Sequence, residues 1–286
     1  MRRLWPGVLA GVIEKELLSP ALALGVALMG FSLAALAAPK SELWPRWSAS
    51  TQNKVAIDHA GWDAFLQANV KPNRDGIHVV AYGKVSAANR KSLDAYVARM
   101  QTVTITKFSR PEQRAYWINL YNAVTVKVVL DHYPVKSITK INISPGFLAK
   151  GPWGKKLLKI EGEDVSLNDI EHRILRPIWK DPRTHYAVNC ASIGCPNLAT
   201  QAYSAARMDE LLDAGARAYI NHPRGAIVKN GKLTVSSIYQ WFKTDFDGDD
   251  AGVIKHLKKY AEPGLAKRLA GITSIDGDQY DWSLNE

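Results

Sequence analysis

The chain has 286 residues, with 37 lysines and arginines against 27 aspartates and glutamates, which gives a formal net charge of +10. An apolar fraction of 47% with 9% aromatic residues is typical of a globular core, and the length suits one large domain. The positive charge is scattered in short pieces such as Lys155-Lys156, so no nucleic-acid partner is expected. Charge of this kind favours solubility and attraction to anionic surfaces of the cell envelope.

The first element in chain order is an uncharged apolar run over residues 17–38, preceded by Arg2 and Arg3. Ala35-Leu36-Ala37 matches the small-x-small pattern that signal peptidase recognises. We therefore predict that residues 1–37 are a signal peptide and that residues 38–286 form a single globular domain in the periplasm. The run is also long enough to span a bilayer, so an uncleaved N-terminal anchor is the alternative. Contact with a membrane is expected only in that second case.

The best-specified helix lies in the first half of the domain. Ser109 and Glu112 have the spacing of a capping box, with Pro111 in the first turn. The segment 112–131 is apolar nearly all round, which predicts a buried central helix. Before it, hydrophobic periodicity predicts helices at 58–70 and 86–101 and a strand at 77–83.

The second half is predicted to mix short helices with β-structure. Ser166 and Asp169 form a second capping signature, and Asn230-Gly231 between two apolar runs predicts a β-hairpin over 226–235. The other predicted elements are strands at 156–160 and 184–189 and helices at 167–179, 204–221, 237–243, 251–260 and 263–270. Together these predict a single α+β domain, in which the buried central helix packs with further helices against a small, mostly antiparallel sheet.

Both cysteines of the chain lie in the stretch HYAVNCASIGCPN, residues 185–197. Gly194 and Pro196 let the chain turn tightly, so a Cys190–Cys195 disulfide is one prediction. Such a bond persists in an oxidising compartment and would contribute about 2 kcal/mol over so short a loop. Zinc ligation and a redox dithiol are further alternatives. The C-x4-C spacing matches neither usual motif, so no metal and no cofactor is expected.

The second prediction for this stretch is a nucleophilic thiolate at Cys190. It needs a base within hydrogen-bond reach, and the candidates are His185 and His172. On a continuous strand, His185 and Cys190 would point to opposite faces. That pair can therefore meet only if the strand ends near Asn189.

Two asparagines interrupt the apolar surface of the central helix. Asn119 and Asn122 are three residues apart and share a face, and Glu112 lies further up the same face. Buried amides cost about 1–3 kcal/mol each unless they are hydrogen-bonded. They either tie the helix to the backbone of a neighbouring segment or line a polar pocket that orients a ligand or a histidine. Glu112 is a third candidate binding residue, although its capping role already explains it.

A second polar group comprises Glu171, His172 and Arg176. His172 and Arg176 are four residues apart and share a helical face. A neighbouring arginine would keep the imidazole neutral, as a general base requires. The alternative is a helix surface with a structural ion pair. The later acidic stretch 245–250 lacks the glycine and glutamate of a calcium-binding loop and is interpreted as a turn that caps the next helix.

Three ordered motifs carry a family resemblance: EQRAYWINLYNAVTV, VSLNDIEHRILRP and THYAVNCASIGCP. They resemble the domain-of-unknown-function 547 family over roughly residues 75–265. The resemblance implies membership of a family that has no settled activity. It therefore adds no substrate or partner to what the residues themselves indicate.

These observations leave three classes of function open. The first is a thiol-dependent hydrolase or transferase acting on amide or ester bonds in the cell envelope. Cys190 would be its nucleophile, and a small molecule or an envelope peptide would be its ligand. The second is a non-catalytic binding or structural domain stapled by a disulfide. The third is a redox or metal protein that uses the same two cysteines.

Overall fold

A computed structural model describes residues 39–146 and 149–286. The predicted signal peptide lies outside these ranges. Within the described ranges, no helix is both long and apolar enough to cross a membrane.

The described residues form an α+β fold, as predicted. The helices are α1 (Ala60–Asn69), α2 (Ala87–Gln101), α3 (Arg110–His132), a π-helix (Asp169–Leu175), α4 (Arg176–Trp179), α5 (Thr184–Ala187), α6 (Met208–Ile220), α7 (Ser237–Trp241), α8 (Asp250–Tyr260) and α9 (Pro263–Leu269). The strands are β1 (Val70–Pro72), β2 (His78–Val80), β3 (Lys156–Ile160), β4 (Glu163–Ser166), β5 (Ala226–Lys229), β6 (Lys232–Ser236) and β7 (Gly277–Gln279).

The helix α3 is the buried centre of the fold, which confirms the prediction from its composition. Every residue from 112 to 126 is buried. The helix ends at His132 because Pro134 follows two residues later and disfavours helical backbone at Tyr133 before it. Its β-branched residues are poor intrinsic helix formers. The helix is therefore stabilised by tertiary burial rather than by propensity.

The start of α3 differs from the predicted capping box. The Ser109 side chain makes no capping hydrogen bond; its backbone carbonyl accepts from the Gln113 N–H instead. The Glu112 carboxylate accepts from the backbone N–H of Ile57 at 3.1 Å. Glu112 therefore fastens the segment before α1 to the central helix. The second predicted cap, between Ser166 and Asp169, is confirmed by reciprocal bonds from each backbone N–H to the other side chain.

The β-structure is mostly antiparallel but is divided among three small sheets rather than one. β1 pairs with β2, β3 pairs with β4, and the third sheet has the order β5-β6-β7, in which β6 and β7 are parallel. The predicted hairpin is confirmed, since Asn230 and Gly231 join β5 to β6 with φ angles of 51° and 74°. Positive φ at both central residues is the requirement of a type I′ turn.

The segment predicted as a strand at 184–189 is instead the short helix α5, followed by extended backbone at Val188. A short apolar run does not distinguish a buried strand from a buried helical turn, which is why the prediction was wrong. The parity argument against a meeting of His185 and Cys190 therefore does not apply. This segment passes between two hydrophobic clusters, with Tyr186 in one and Ala187 in the other.

Candidate functional site

Four side chains form what we call the thiol cluster: Cys190, Ser192, Cys195 and Tyr280. The Cys190 Sγ lies 2.9 Å from the Tyr280 hydroxyl and 3.2 Å from the Ser192 hydroxyl, and these two hydroxyls are 2.9 Å apart. The backbone N–H of Cys190 donates to the Cys195 Sγ at 2.9 Å. Cys190 is half-buried and Cys195 is buried. Cys190 is therefore the more exposed of the two residues.

The loop that carries the two cysteines is held by its backbone carbonyls. Tyr219 donates its hydroxyl to the Gly194 carbonyl at 2.6 Å. The Arg224 guanidinium donates to the carbonyls of Ile193 and Cys195, both at 2.7 Å. Side chains from other segments thus bind three successive carbonyls of the loop, and these hydrogen bonds fix its geometry. The position of the thiols therefore does not depend on the thiols themselves.

Two residues of this loop have backbone requirements of their own. Ala191, directly after Cys190, has a φ of 56°, in a region that residues with a side chain seldom adopt. At Gly194, a Cβ atom would lie 2.7 Å from the backbone nitrogen of Asp281, so a glycine is needed for the close approach of the C-terminal segment. The C-terminal segment brings Tyr280 to the sulfur. Backbone strain of this kind is common at functional sites.

Asn122 fixes the chain just before the thiol cluster. Its amide donates to the Ala187 carbonyl and accepts from the Asn189 N–H, both at 2.8 Å. Asn119 makes the same pair of bonds to the backbone of Tyr203. The exposed fractions of Asn119 and Asn122 are 0% and 2%. These contacts favour the interpretation in which the two amides tie the central helix to neighbouring segments.

Five side chains form the histidine cluster: Glu171, His172, Arg176, His185 and Asp245. Arg176 donates to both oxygens of Asp245, at 2.6 and 3.1 Å, and the His185 Nε2 is 2.7 Å from Asp245 Oδ2. Glu171 accepts from the Tyr121 hydroxyl at 3.0 Å. Its carboxylate lies 4.0 Å from the His172 Nε2 and 3.9 Å from the His185 Nδ1, beyond hydrogen-bond distance. The structure thus brings together four residues singled out in the sequence and adds Asp245.

The histidine cluster contains a neutral imidazole and a carboxylate held ionised. Burial lowers the pKa of His172 to about 4; Glu171 opposes that shift and Arg176 adds to it. Because Arg176 donates to the His172 Nδ1 at 3.1 Å, the proton of the neutral ring is assigned to Nε2. Burial alone would raise the pKa of Asp245, but hydrogen bonds from His185 and Arg176 outweigh it and hold that pKa well below its usual range.

Two consecutive aromatic residues stand between the clusters. Phe242 stacks on the His185 ring at 4.3 Å between centroids, and Trp241 packs against Tyr280 at 4.8 Å. Among the described residues, no histidine is in hydrogen-bond contact with the Cys190 sulfur, whereas the hydroxyls of Ser192 and Tyr280 are. The sequence expectation of a histidine next to Cys190 is thus not what the geometry shows.

Both cysteines are free thiols in this structure, so the Cys190–Cys195 disulfide predicted as one alternative is not formed. Burial raises the pKa of the Cys190 thiol. Burial also opposes ionisation of Cys195, but donors facing its sulfur, from Cys190 and from Tyr280, lower its pKa on balance. No group of three or more His, Cys, Asp or Glu side chains within the described ranges is arranged to hold a metal ion.

Sequence reasoning missed three members of this region: Ser192, Tyr280 and Asp245. Ser192 stands inside the cysteine motif and could have been noticed there. Tyr280 lies 90 residues after Cys190, and Asp245 lies 60 residues after His185. Asp245 was interpreted only as part of an acidic turn, because nothing local in the sequence connects it to a histidine.

The fold and the site define an α+β protein with a buried central helix and a hydrogen-bonded loop that carries two thiols. Residues 105–220 match the model of a family described as a protein of unknown function, DUF547, which confirms the resemblance over that part of the chain. The match is shorter than the expected 75–265, but it contains the π-helix and both cysteines. No curated protein and no solved structure matches the chain.

Proposed function

We propose that the protein is a thiol-dependent hydrolase or transferase, in which Cys190 attacks the carbonyl carbon of an ester or amide. The observation that carries the proposal is the triangle of Cys190, Ser192 and Tyr280, with its three sides between 2.9 and 3.2 Å. Cys190 is a half-buried residue on a strained turn, and its thiol contacts two hydroxyls. Nucleophilic catalysis requires a preorganised arrangement of this kind.

The base in this proposal is the second sulfur rather than a histidine. Cys195 already accepts the backbone N–H of Cys190, and the donors that face its sulfur favour the thiolate form that a base must have. As the S–C bond forms, the Cys190 proton passes to Cys195 and the carbonyl π-electrons move to oxygen. When the tetrahedral species collapses, the oxyanion re-forms the carbonyl, the bond from carbon to the leaving oxygen or nitrogen breaks, and that atom takes the proton from Cys195. Water or a second nucleophile then attacks the thioester and gives its proton to Cys195, and Cys190 takes up that proton as the S–C bond breaks.

The hydroxyls supply donors for the charge that develops in this step. Burial raises the pKa of Tyr280 well above its usual value, so its hydroxyl stays protonated at neutral pH. A donor that cannot ionise stabilises negative charge on a neighbouring sulfur or oxygen without reorganisation. Ser192 is held by Tyr280 and by the loop and serves the same purpose.

The test is acyl transfer from p-nitrophenyl acetate, followed by nitrophenolate release and by intact mass. We expect one acetyl group on Cys190 and none in Cys190→Ser. In Cys195→Ser the acylation rate should fall by about 100-fold, the usual scale for loss of a general base. Urea unfolding of both variants shows whether they fold. Equal acylation rates in the parent protein and in folded Cys190→Ser would refute the proposal.

The second candidate is a non-catalytic envelope domain that binds a ligand or supports structure. It is favoured by Asn119, Asn122 and Glu112, whose polar groups are engaged with backbone. If Cys190 takes up no acyl group while the folded protein keeps both thiols, this second candidate replaces the first.

We propose in addition that the protein is exported to the periplasm. The support is the uncharged run over residues 17–38 and the small residues at its end. Protein recovered from the periplasm should lack residues 1–37 by intact mass. Recovery of the full-length mass from the membrane fraction would favour the uncleaved anchor instead.

A further inference from the structure

The first ten described residues, 39–48, lie against the π-helix, and we call them the N-terminal strap. The backbone N–H of Glu42 donates to the His172 carbonyl at 3.0 Å, and that of Trp44 donates to the Arg173 carbonyl at 2.9 Å. Donors two residues apart are those on one side of an extended chain. The strap therefore donates hydrogen bonds to two successive carbonyls of a helix. Such carbonyls normally accept from backbone N–H groups of the helix itself.

The reason these carbonyls are free is Pro177. In the π-helix, hydrogen bonds link each carbonyl to the N–H five residues on, as in the bond from Arg176 to the Glu171 carbonyl. The next such bond would join the His172 carbonyl to residue 177. In the α-helix that follows, each carbonyl accepts from the N–H four residues later, so the Arg173 carbonyl would also pair with residue 177. Proline has no N–H, so it withholds the donor from both.

The strap also contacts the side chains that build the histidine cluster. The Pro39 carbonyl accepts from the Arg176 Nη1 at 2.8 Å, and the same nitrogen donates to His172. The Trp44 ring lies 4.5 Å from the Arg173 guanidinium. At its other end, Trp47 is buried and packs edge-on against Trp117 of the central helix, with ring centroids 5.2 Å apart. The strap is thus fixed at both ends across the π-helix.

We infer that the N-terminal strap completes the π-helix from outside. It supplies the two backbone donors that Pro177 withholds, and its docking positions His172 and Arg176 for the histidine cluster. Release of the strap would leave the His172 and Arg173 carbonyls without these two donors and would remove the Pro39 carbonyl from the Arg176 guanidinium. The π-helix then loses the contact that fixes its geometry. This inference rests on backbone contacts and does not depend on the chemistry proposed for Cys190.

Amide hydrogen exchange on the full chain tests the inference. Pro177→Ala returns the N–H that both carbonyls lack, so the strap should be held less firmly. We expect the Glu42 and Trp44 amides to exchange at least about tenfold faster in this variant, because local opening becomes easier. Unchanged exchange at both amides, in a variant that unfolds at the same urea concentration as the parent protein, would overturn the inference.

A second set of variants examines the donors directly. Glu42→Pro removes a donor that the strap uses, whereas Glu42→Ala keeps it. Leu43→Pro places proline at a position that is 44% exposed and whose N–H lies on the opposite side of the extended chain. We expect Glu42→Pro alone to accelerate exchange in residues 169–175. Equal acceleration by both proline variants would mean that the effect is backbone strain in the strap and would count against the inference.

The effect on His172 separates a positioning role from a merely structural one. The groups that face this ring are Glu171, Arg176, His185 and Asp245, and its low pKa comes mainly from burial. In Glu42→Pro we expect the His172 pKa, followed by NMR, to move up from about 4 toward its ordinary value of about 6.5. If the strap amides exchange faster but the His172 pKa stays near its parent value, the strap does not position the histidine cluster.

Discussion

Arg176→Leu should lower the free energy of unfolding by about 3–5 kcal/mol, the range for breaking a buried ion pair by removing one partner. The Arg176 side chain is 3% exposed and makes two bonds to Asp245 and one to His172. Without the guanidinium, the Asp245 carboxylate keeps only His185, and the His172 Nδ1 loses its donor. Because Asp245 is 20% exposed and retains some solvation, we expect the lower half of that range.

Urea unfolding at pH 7.5 measures this loss, and a matched variant separates it from the general effect of removing an arginine. Arg207 pairs with Glu210, but their side chains are 47% and 62% exposed. Arg207→Leu should therefore cost less than about 1 kcal/mol, as for other surface ion pairs. Similar losses in both variants would show that burial of the Arg176 pair has no energetic consequence.

Acidification from pH 7.5 to 4.5 should destabilise the fold through two buried histidines. Burial lowers the pKa of both His59 and His172 to about 4. Between about pH 4 and the unfolded value of about 6.5, the unfolded chain binds more protons, so stability rises with pH across this window. The contribution is complete above pH 6.5 and is lost as pH falls toward 4. Each histidine accounts for about 3 kcal/mol over the full window.

The matched variants are His59→Asn and His172→Asn. Each keeps an acceptor where Nδ1 stood, facing Tyr96 in the first case and Arg176 in the second. Each should flatten the dependence of the unfolding free energy on pH. His132→Asn, at an exposed position, should leave it unchanged. A stability that is the same at pH 4.5 and 7.5 in the parent protein would show that the buried rings are protonated without cost.

Local sequence patterns predicted the parts of the fold that depend on local physics. The segment 112–131 is apolar nearly all round, and such a helix is stable in water only when it is buried. Asn230-Gly231 specifies a hairpin because few other dipeptides adopt positive φ twice. The second cap, Ser166 with Asp169, formed because both partners lie within one turn of chain. The predicted capping box of Ser109 and Glu112 did not form, because the Glu112 carboxylate accepts from the backbone N–H of Ile57 instead.

The site was harder to predict because its parts come from distant segments. Pro177 is visible in the sequence, but its consequence depends on Glu42 and Trp44 far earlier in the chain. A π-helix differs from an α-helix by one residue in the spacing of its backbone hydrogen bonds. The periodicity of apolar side chains in the sequence does not distinguish the two. Tyr280 reaches the thiols only because Gly194 lets the C-terminal segment approach. The sequence singled out Cys190 but not the hydroxyls that contact it.

The most direct test of the thiol proposal is a free-thiol count on the mature protein, by intact mass before and after alkylation, first native and then denatured. We expect one label under native conditions, located at Cys190, because Cys195 is only 3% exposed. The second label should appear only after denaturation. If no alkylation occurs even in denaturant, Cys190 and Cys195 are joined by a disulfide, and a resting nucleophile at Cys190 is contradicted.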